Sequence, residues 1–527
     1  MSSSARFDPV RLEVMRHAFA SVADEMGAAL MRTGFSANIK ERRDYSCALF
    51  DSQGRAVAQG DHMPVHLGSM QASVAAALAW GPLEEGDVVA LNDPYEGGTH
   101  LPDLTLVGPT IFAGDGPLFY LATRAHHSDM GGATPGSMGL ASEIVAEGLR
   151  IPPVRLYRRG QPVEDVLRLV LANLRDPVER EGDLAAQLAS LHVGRRGVEE
   201  LAHRYGTPAL LRDARDLMDY SERMTRAALQ RLEPGTYDYS DTLDDVGPLQ
   251  ARVTVASPAR RGVAESPELE VDLREVPDAV PLPVNCPRAV TLSAVGYVIR
   301  CIAGASAPWN DGTLRPVRVL TRSGSLFDVA PPFPVAGGNV ETSQRIVDLV
   351  LGSLASALPG RIPASSQGTM NNLCLGGTRR DGARWSYYET IAGGAGGGPR
   401  RRGESGIHTH MTNSRNTPVE ALEHLLPLRV RRYHLRSDSG GAGQHRGGEG
   451  VVREIEALEP VSLTLLSERR RVAPPGLAGG GAASAGAAFI VRADGAIETL
   501  GGHDRAQLEP GDRVRIETPG GGGWGTP

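Results

Sequence analysis

Residues 91–132 read LNDPYEGGTHLPDLTLVGPTIFAGDGPLFYLATRAHHSDMGG, and this stretch organises the rest. His100 and Asp103 stand three apart with Pro102 between them. Proline removes a backbone donor, so the segment reads as a turn and not the middle of a helix. Residues 118–125 form a mostly apolar run entered through Gly116-Pro117, which predicts a buried strand. His126 and His127 lie at its exit, and Asp129 follows in a Ser-Asp-Met-Gly-Gly turn. Side chains alternate along a strand, so the two histidines point to opposite faces. Only one of them can readily face the same site as His100 and Asp103. Imidazole and carboxylate together suit a first-row divalent ion, with Zn, Mn and Fe all compatible. A lone buried histidine is more often simply hydrogen-bonded. An H-x-x-D turn and an H-H-x-D strand end within thirty residues favour a metal site.

Upstream, Asp8-Pro9 opens a helix, with Asp as N-cap and Pro in the first turn. Apolar residues at Leu12, Met15, Phe19, Val22, Met26 and Leu30 carry a broad stripe to about residue 32. Residues 45–50 and 55–59 pair as a hairpin across Asp51-Ser52-Gln53-Gly54. Asp44 enters that hairpin and by itself reads as a surface carboxylate. In GDHMPVHLGSM, His62 and His66 flank a proline ahead of a helix over 69–79. Lining a pocket and capping a turn are equal readings of that pair. Residues 87–91 form the strand that delivers the opening segment.

Downstream, 163–232 reads as a helical belt, interrupted at Asp176-Pro177 and resuming over 178–187, 191–205 and 210–232. It serves as a spacer between two α/β parts. Strands are predicted at 250–256, 269–273 and 317–320, with helices over 288–302 and 343–358, the latter capped by Thr342. GGAGGG at 393–398 lacks the lysine of a P-loop and the context of a dinucleotide fold, so a flexible loop over 393–405 is preferred to a phosphate cradle. The predicted class is α+β and multidomain: an N-terminal α/β metal-site region (1–162), the helical belt (163–232), an α/β region with Gly-rich loops (233–426) and a Gly-rich, β-rich C-terminal region (427–527).

The chain has 527 residues, 41% hydrophobic and 22% charged, which are globular values spread over more than one core. A net charge of −7 argues against a nucleic-acid binder. The four cysteines are widely spaced and read as buried thiols of a reducing compartment. The N-terminus has no apolar signal region and no run reaches ~18 apolar residues, so a cytoplasmic chain without a membrane span is expected.

The ordered motifs RRDYSCALFD, HMPVHLGSM, NDPYEGGTHLPDLTL, AHHSDMGG, VNCPRAVTLSAVGYVIRC, GGNVETSQRI, SSQGTMNN, TNSRNTPVE, DSGGAGQHRGGEG and TPGGGGWG resemble the hydantoinase B/oxoprolinase family across almost the whole chain. The resemblance implies the B subunit of an ATP-dependent N-methylhydantoinase or 5-oxoprolinase, working in a hetero-oligomer with a separate, ATP-binding hydantoinase A-type chain. It implies a small cyclic amide as substrate and relatives among ketone carboxylases. It also implies metal ligands at His100, Asp103 and His126 or His127, with His126 preferred, and raises Asp44 to a fourth ligand. Phosphorylation on the partner would activate the lactam, and a metal here would lower the pKa of water towards ~7. Asp129, His62 and His66 are candidates to move the proton. Asn371, Asn413, Asn416 and Glu420 are candidates to orient substrate. Carboxylase chemistry and a non-catalytic scaffold are the alternatives; chain length disfavours the first, and the retained ligand residues disfavour the second.

Overall fold

The computed structural model describes residues 8–60, 62–111, 116–257, 267–380 and 382–527. It begins with helix α1 (Pro9–Thr33), whose N-cap Asp8 accepts from Val10 N and Arg11 N. The short α2 (Ala37–Lys40) then leads into a seven-stranded sheet. Its strands are β1 (Tyr45–Asp51), β2 (Ala56–Gln59), β3 (Val88–Leu91), β4 (Asp103–Thr110), β5 (Phe119–His126), β6 (Val154–Arg158) and β7 (Gln161–Pro162). They lie antiparallel in the order β2-β1-β5-β4-β3-β6-β7. Every residue of β1, β4 and β5 is buried, because both faces of the sheet are covered. Cys47, Leu49, Leu104, Leu106 and Leu121 face α1 and α5 (Pro177–Tyr205). Ala48, Phe50, Val107, Tyr120 and Ala122 face α3 (Ser69–Trp80). The predicted alternation is therefore present, but with apolar residues on both sides.

The helices of 163–232 are α4 (Glu164–Ala172), α5 and α6 (Thr207–Leu229). They are not a detached spacer. Leu184, Leu191, Val198, Leu210 and Leu217 sit in the same core as α1 and the first sheet. The two predicted segments over 178–205 are one continuous helix of 29 residues, started by Asp176, whose carboxylate accepts from Glu179 N.

A second sheet, β8 (Gly235–Leu243), β9 (Gly247–Val255), β10 (Leu269–Asp272) and β11 (Val317–Leu320), packs on α7 (Arg288–Ala303) and α8 (Ser343–Ala357). Thr342 does not cap α8. It has helical angles, and its hydroxyl donates to Val284 O, because a π-helical turn, Gly338–Thr342, runs straight into the helix.

The last part is a sandwich of two sheets, β13-β12-β16-β19 and β14-β15-β20-β17-β18. Its strands are β12 (Asn372–Thr378), β13 (Arg384–Thr390), β14 (Leu428–Arg436), β15 (Gly450–Ala457), β16 (Val461–Leu466), β17 (Ala487–Val491), β18 (Ile497–Leu500), β19 (His503–Leu508) and β20 (Arg513–Glu517), with α9 (Val419–Leu425) at one edge. A boundary at 426 would cut this core, which reaches back to Leu373 and Leu375. Nor is 393–405 a loose loop. Gly448 N donates to Ala395 O and Gly397 N to Gly522 O, both at 2.8 Å. A Cβ on Gly394 would stand 2.1 Å from Gly448 O, so the glycines let three backbones interlock. Among the described residues no helix is long and apolar enough to cross a membrane.

Candidate metal centre

Asp103 begins β4 and His126 ends β5, and the two are paired directly in the ladder. Side chains paired across an antiparallel ladder share a face, so both point to the α3 side of the sheet. The turn ahead of β4 brings His100 to the same point. Ligand atoms of His100, Asp103 and His126 all lie within 4.8 Å of one another, and all three residues are buried. Asp103 Oδ1 stands 3.2 Å from His100 Nε2 and 3.4 Å from His126 Nδ1.

The two oxygens of Asp103 have different surroundings. Oδ2 accepts from the Thr99 hydroxyl at 2.6 Å and lies 3.3 Å from His66 Nε2. Oδ1 has no hydrogen-bond partner, nor do His100 Nδ1 and Nε2 or His126 Nε2. Leaving four such buried atoms unpaired is costly for a fold that places them there for packing alone. Tetrahedral ligands at ~2.0–2.2 Å from a first-row ion lie ~3.3–3.6 Å apart, which matches the two spacings around Oδ1. The donor set, two imidazoles and a carboxylate, fits such an ion.

Protonation states fit as well. Burial raises the Asp103 carboxyl, but His100, His126 and His66 outweigh it and hold it well below its ordinary value. Burial pushes His126 and His66 down, so both rings are neutral. Ligand histidines must be neutral and ligand carboxylates ionised. Ser46 Oγ accepts from Met63 N, so its hydroxyl donates to His66 Nδ1 at 2.8 Å; His66 Nε2–H then donates to Asp103 Oδ2.

Asp44 lines the same cavity, beside Arg42 at 3.9 Å, but stands outside the three-residue group. The cavity has a volume of about 10 Å³, close to one water-sized sphere. Its far wall comes from Asn339, Met370, Tyr388, Thr390 and Thr412. A much larger cavity of about 610 Å³ lies towards the other end of the first sheet, beside Gly108 and Leu191, and holds no such ligand group.

The remaining candidates lie elsewhere. His127 faces α5, with Nε2 3.0 Å from Gln187 Oε1, as alternation along the strand requires. His62 turns towards α1: its Nδ1 accepts from Cys47 N, and its ring lies 5.0 Å from that of Tyr45. Asp129 is saturated by Gly131 N, Gly136 N, Arg175 N and Arg175 Nη1, so it has no lone pair to offer a proton. Asn371 is tied to Gln367, Ile391 O and Arg470. Asn416 bonds Glu389 and Thr390 O, Asn413 bonds His62 O, and Glu420 is exposed in the first turn of α9. None of these four lines the cavity.

Sequence reading did not single out Thr99, Ser46 or Tyr388. Thr99 and Ser46 stand in quoted motifs, but a hydroxyl beside a ligand carries no spacing signal. Tyr388 reads as one of two ordinary strand aromatics.

The family description Hydantoinase B/oxoprolinase matches residues 8–527. The chain is 36% identical over 548 residues to 5-oxoprolinase 1 of Arabidopsis thaliana, covering 98% of this chain and 42% of that protein. It thus spans about two-fifths of the length of that relative. Among solved structures it is similar to the ATP-dependent caprolactamase from Pseudomonas jessenii, with a TM-score of 0.90 at 30% identity over 99% of this chain and 92% of that one. It is also similar to a nucleotide-free acetone carboxylase, with a TM-score of 0.88 over 98% of this chain and 76% of that one; at 18% identity this shows the fold alone. A match over nearly its whole length makes this chain a member of the hydantoinase B/oxoprolinase family.

Proposed function

We propose that this chain is the metal-dependent, ring-opening subunit of an ATP-dependent cyclic-amide hydrolase, paired with a separate A-type chain that uses the ATP. The observation that carries the reading is the buried His100–Asp103–His126 group with its unpaired donor and acceptor atoms. Family membership supports the reaction class. The partner is supported by the part of the 5-oxoprolinase relative that this chain does not span.

An unstrained lactam resists attack because its amide resonance must be lost. Phosphorylation of the carbonyl oxygen converts it to an imidate phosphate with a good leaving group, and the A-type chain performs that step. A divalent ion held by His100, Asp103 and His126, with Asp44 as a fourth candidate, supplies Lewis acidity and makes water acidic enough to attack at neutral pH. The chain's own residues prepare that event. Thr99 and His66 bind one oxygen of Asp103 and aim the other at the two imidazoles. His66, neutral and hydrogen-bonded to Ser46, is placed to take a proton at a ring nitrogen and return it to the ring amide nitrogen as the C–N bond breaks. The closed walls exclude bulk water from the activated species.

The test is co-expression with the neighbouring A-type chain and an assay of ATP use and product against lactams, hydantoins and ketones. Ring-opened amino acid with ADP is expected. Ketone and bicarbonate consumption without ring opening would move the chain to carboxylase chemistry. Asp103→Ala, still bound to its partner, should lose ring opening while ADP formation survives in part. If it retains ring opening, the scaffold reading replaces this one.

A further inference from the structure

We propose that Tyr388 is a positioning residue for His126, held in place by Asn372 and Glu341; the proposal rests on the metal reading above. Ligand histidines are usually oriented by a hydrogen bond from the ring nitrogen that does not touch the metal. His126 Nε2 has no such partner. Instead the ring lies flat on Tyr388, with centroids 4.6 Å apart and planes 10° from parallel. His100 meets it edge-on at 5.0 Å and 60°. A flat contact on one face and an edge contact from a neighbour fix a ring's rotation without any hydrogen bond.

Tyr388 is itself fixed. Its hydroxyl donates to Asn372 Oδ1 at 2.8 Å, and its backbone carbonyl accepts from Arg42 at 2.9 Å. The Arg42 guanidinium lies 4.5 Å from the ring centroid. Asn372 Nδ2 donates to Glu341 Oε1 at 2.7 Å and to Leu466 O at 2.8 Å. Glu341 belongs to the π-helical turn that also supplies Asn339 and Val340 to the cavity wall. A π turn inside an otherwise regular helix start is a frequent mark of a functional site. The linkage therefore runs from the second part of the chain, through the sandwich, to a ligand on the first sheet. It gives GGNVETSQRI and SSQGTMNN a role that no contact with the metal would explain. Tyr387, the next residue, faces the sandwich core and donates to Glu389 at 2.9 Å, so it serves as the control.

The experiment titrates the apo chain with Co²⁺ and records its visible spectrum. Tyr388→Leu should bind ~10–100-fold more weakly, with shifted d–d bands, and Tyr388→Phe, which keeps the flat ring, should stay within about threefold of wild type. Tyr387→Leu should lower the melting temperature but leave affinity and spectrum unchanged. If Tyr388→Leu does not fold, Tyr388→Met fills similar volume without a flat face and carries the same expectation. Wild-type affinity and spectrum in the Leu or Met variant overturn the proposal, as does an equal loss in Tyr387→Leu. A wild-type chain that binds no cobalt sinks the metal reading itself, which is a separate result.

Discussion

Asp103 and Asp129 look alike in the sequence and differ in the fold. Each follows a histidine by two or three residues, each is buried, and the two stand at neighbouring strand ends of one sheet. Asp129 receives four hydrogen bonds, two of them from Arg175, and spends all its acceptor capacity holding the turn over 130–137 against the start of α5. Asp103 receives its bonds on Oδ2 and leaves Oδ1 bare between two imidazoles. Saturation marks a carboxylate that builds structure. A bare, buried, ionised oxygen marks one that awaits a cation.

The largest expected effects fall on the unsaturated side. Asp103→Ala and His126→Ala should each weaken metal binding by more than about 100-fold, beyond the ~10–100-fold of an outer partner. Metal content after dialysis reads this directly. The apo forms should melt close to the wild-type apo chain, because no hydrogen bond to Oδ1 is lost. Full metal content in either variant would break the contrast.

On the saturated side the effect should move to stability. Asp129→Ala leaves Arg175 and two backbone donors without their acceptor, and should cost about 3–5 kcal/mol. The folded fraction should retain its metal. Denaturant melts with metal analysis of the native peak separate the two outcomes, and a metal-free but stable Asp129→Ala would refute the assignment. His127→Ala should cost less, about 1–3 kcal/mol, by leaving Gln187 Oε1 unpaired beneath the sheet. It too should keep its metal, whereas His126→Ala does not.

Much of this was legible in the chain. His100, Asp103 and one member of the histidine pair follow from ligand chemistry and strand alternation, and alternation also says that only one can serve. The family was legible from ordered motifs. What could not be read was hydrogen-bond saturation, because it depends on partners far away in sequence. Arg175 reaches Asp129 from 46 positions on, and Tyr388 meets His126 from the other end of the chain. The glycine runs misled for a related reason. Glycine signals a flexible loop when alone, yet three such runs brought together interlock more tightly than any other residues could.

A third carboxylate sharpens the comparison. Glu147 is buried and hydrogen-bonded by Val335 N and Ala336 N, as a structural group should be. It lacks the cation that Asp129 has in Arg175. Burial therefore dominates and pushes its carboxyl up to about 8, from an ordinary value of 4.5. Below pH 4.5 the group is protonated in both folded and unfolded chain and adds no pH dependence. Between 4.5 and 8 the unfolded chain releases the proton while the folded chain keeps it, so stability falls as pH rises. Above 8 both forms are ionised and the penalty stays constant. Glu147→Gln keeps an acceptor for both backbone donors and removes the titration. From pH 6 to 7.5 the wild-type chain should lose about 1–2 kcal/mol more than the variant, by the slope of ~1.4 kcal/mol per pH unit for one retained proton. Glu341 and Glu468, pushed up in the same direction by burial, keep their share in both proteins, so the variant's slope is reduced and not abolished. Urea melts at pH 6.0 and 7.5 measure the difference. Parallel curves for the two proteins would mean that Glu147 is ionised in the fold after all, and that two backbone donors suffice to hold a buried carboxylate without a cation.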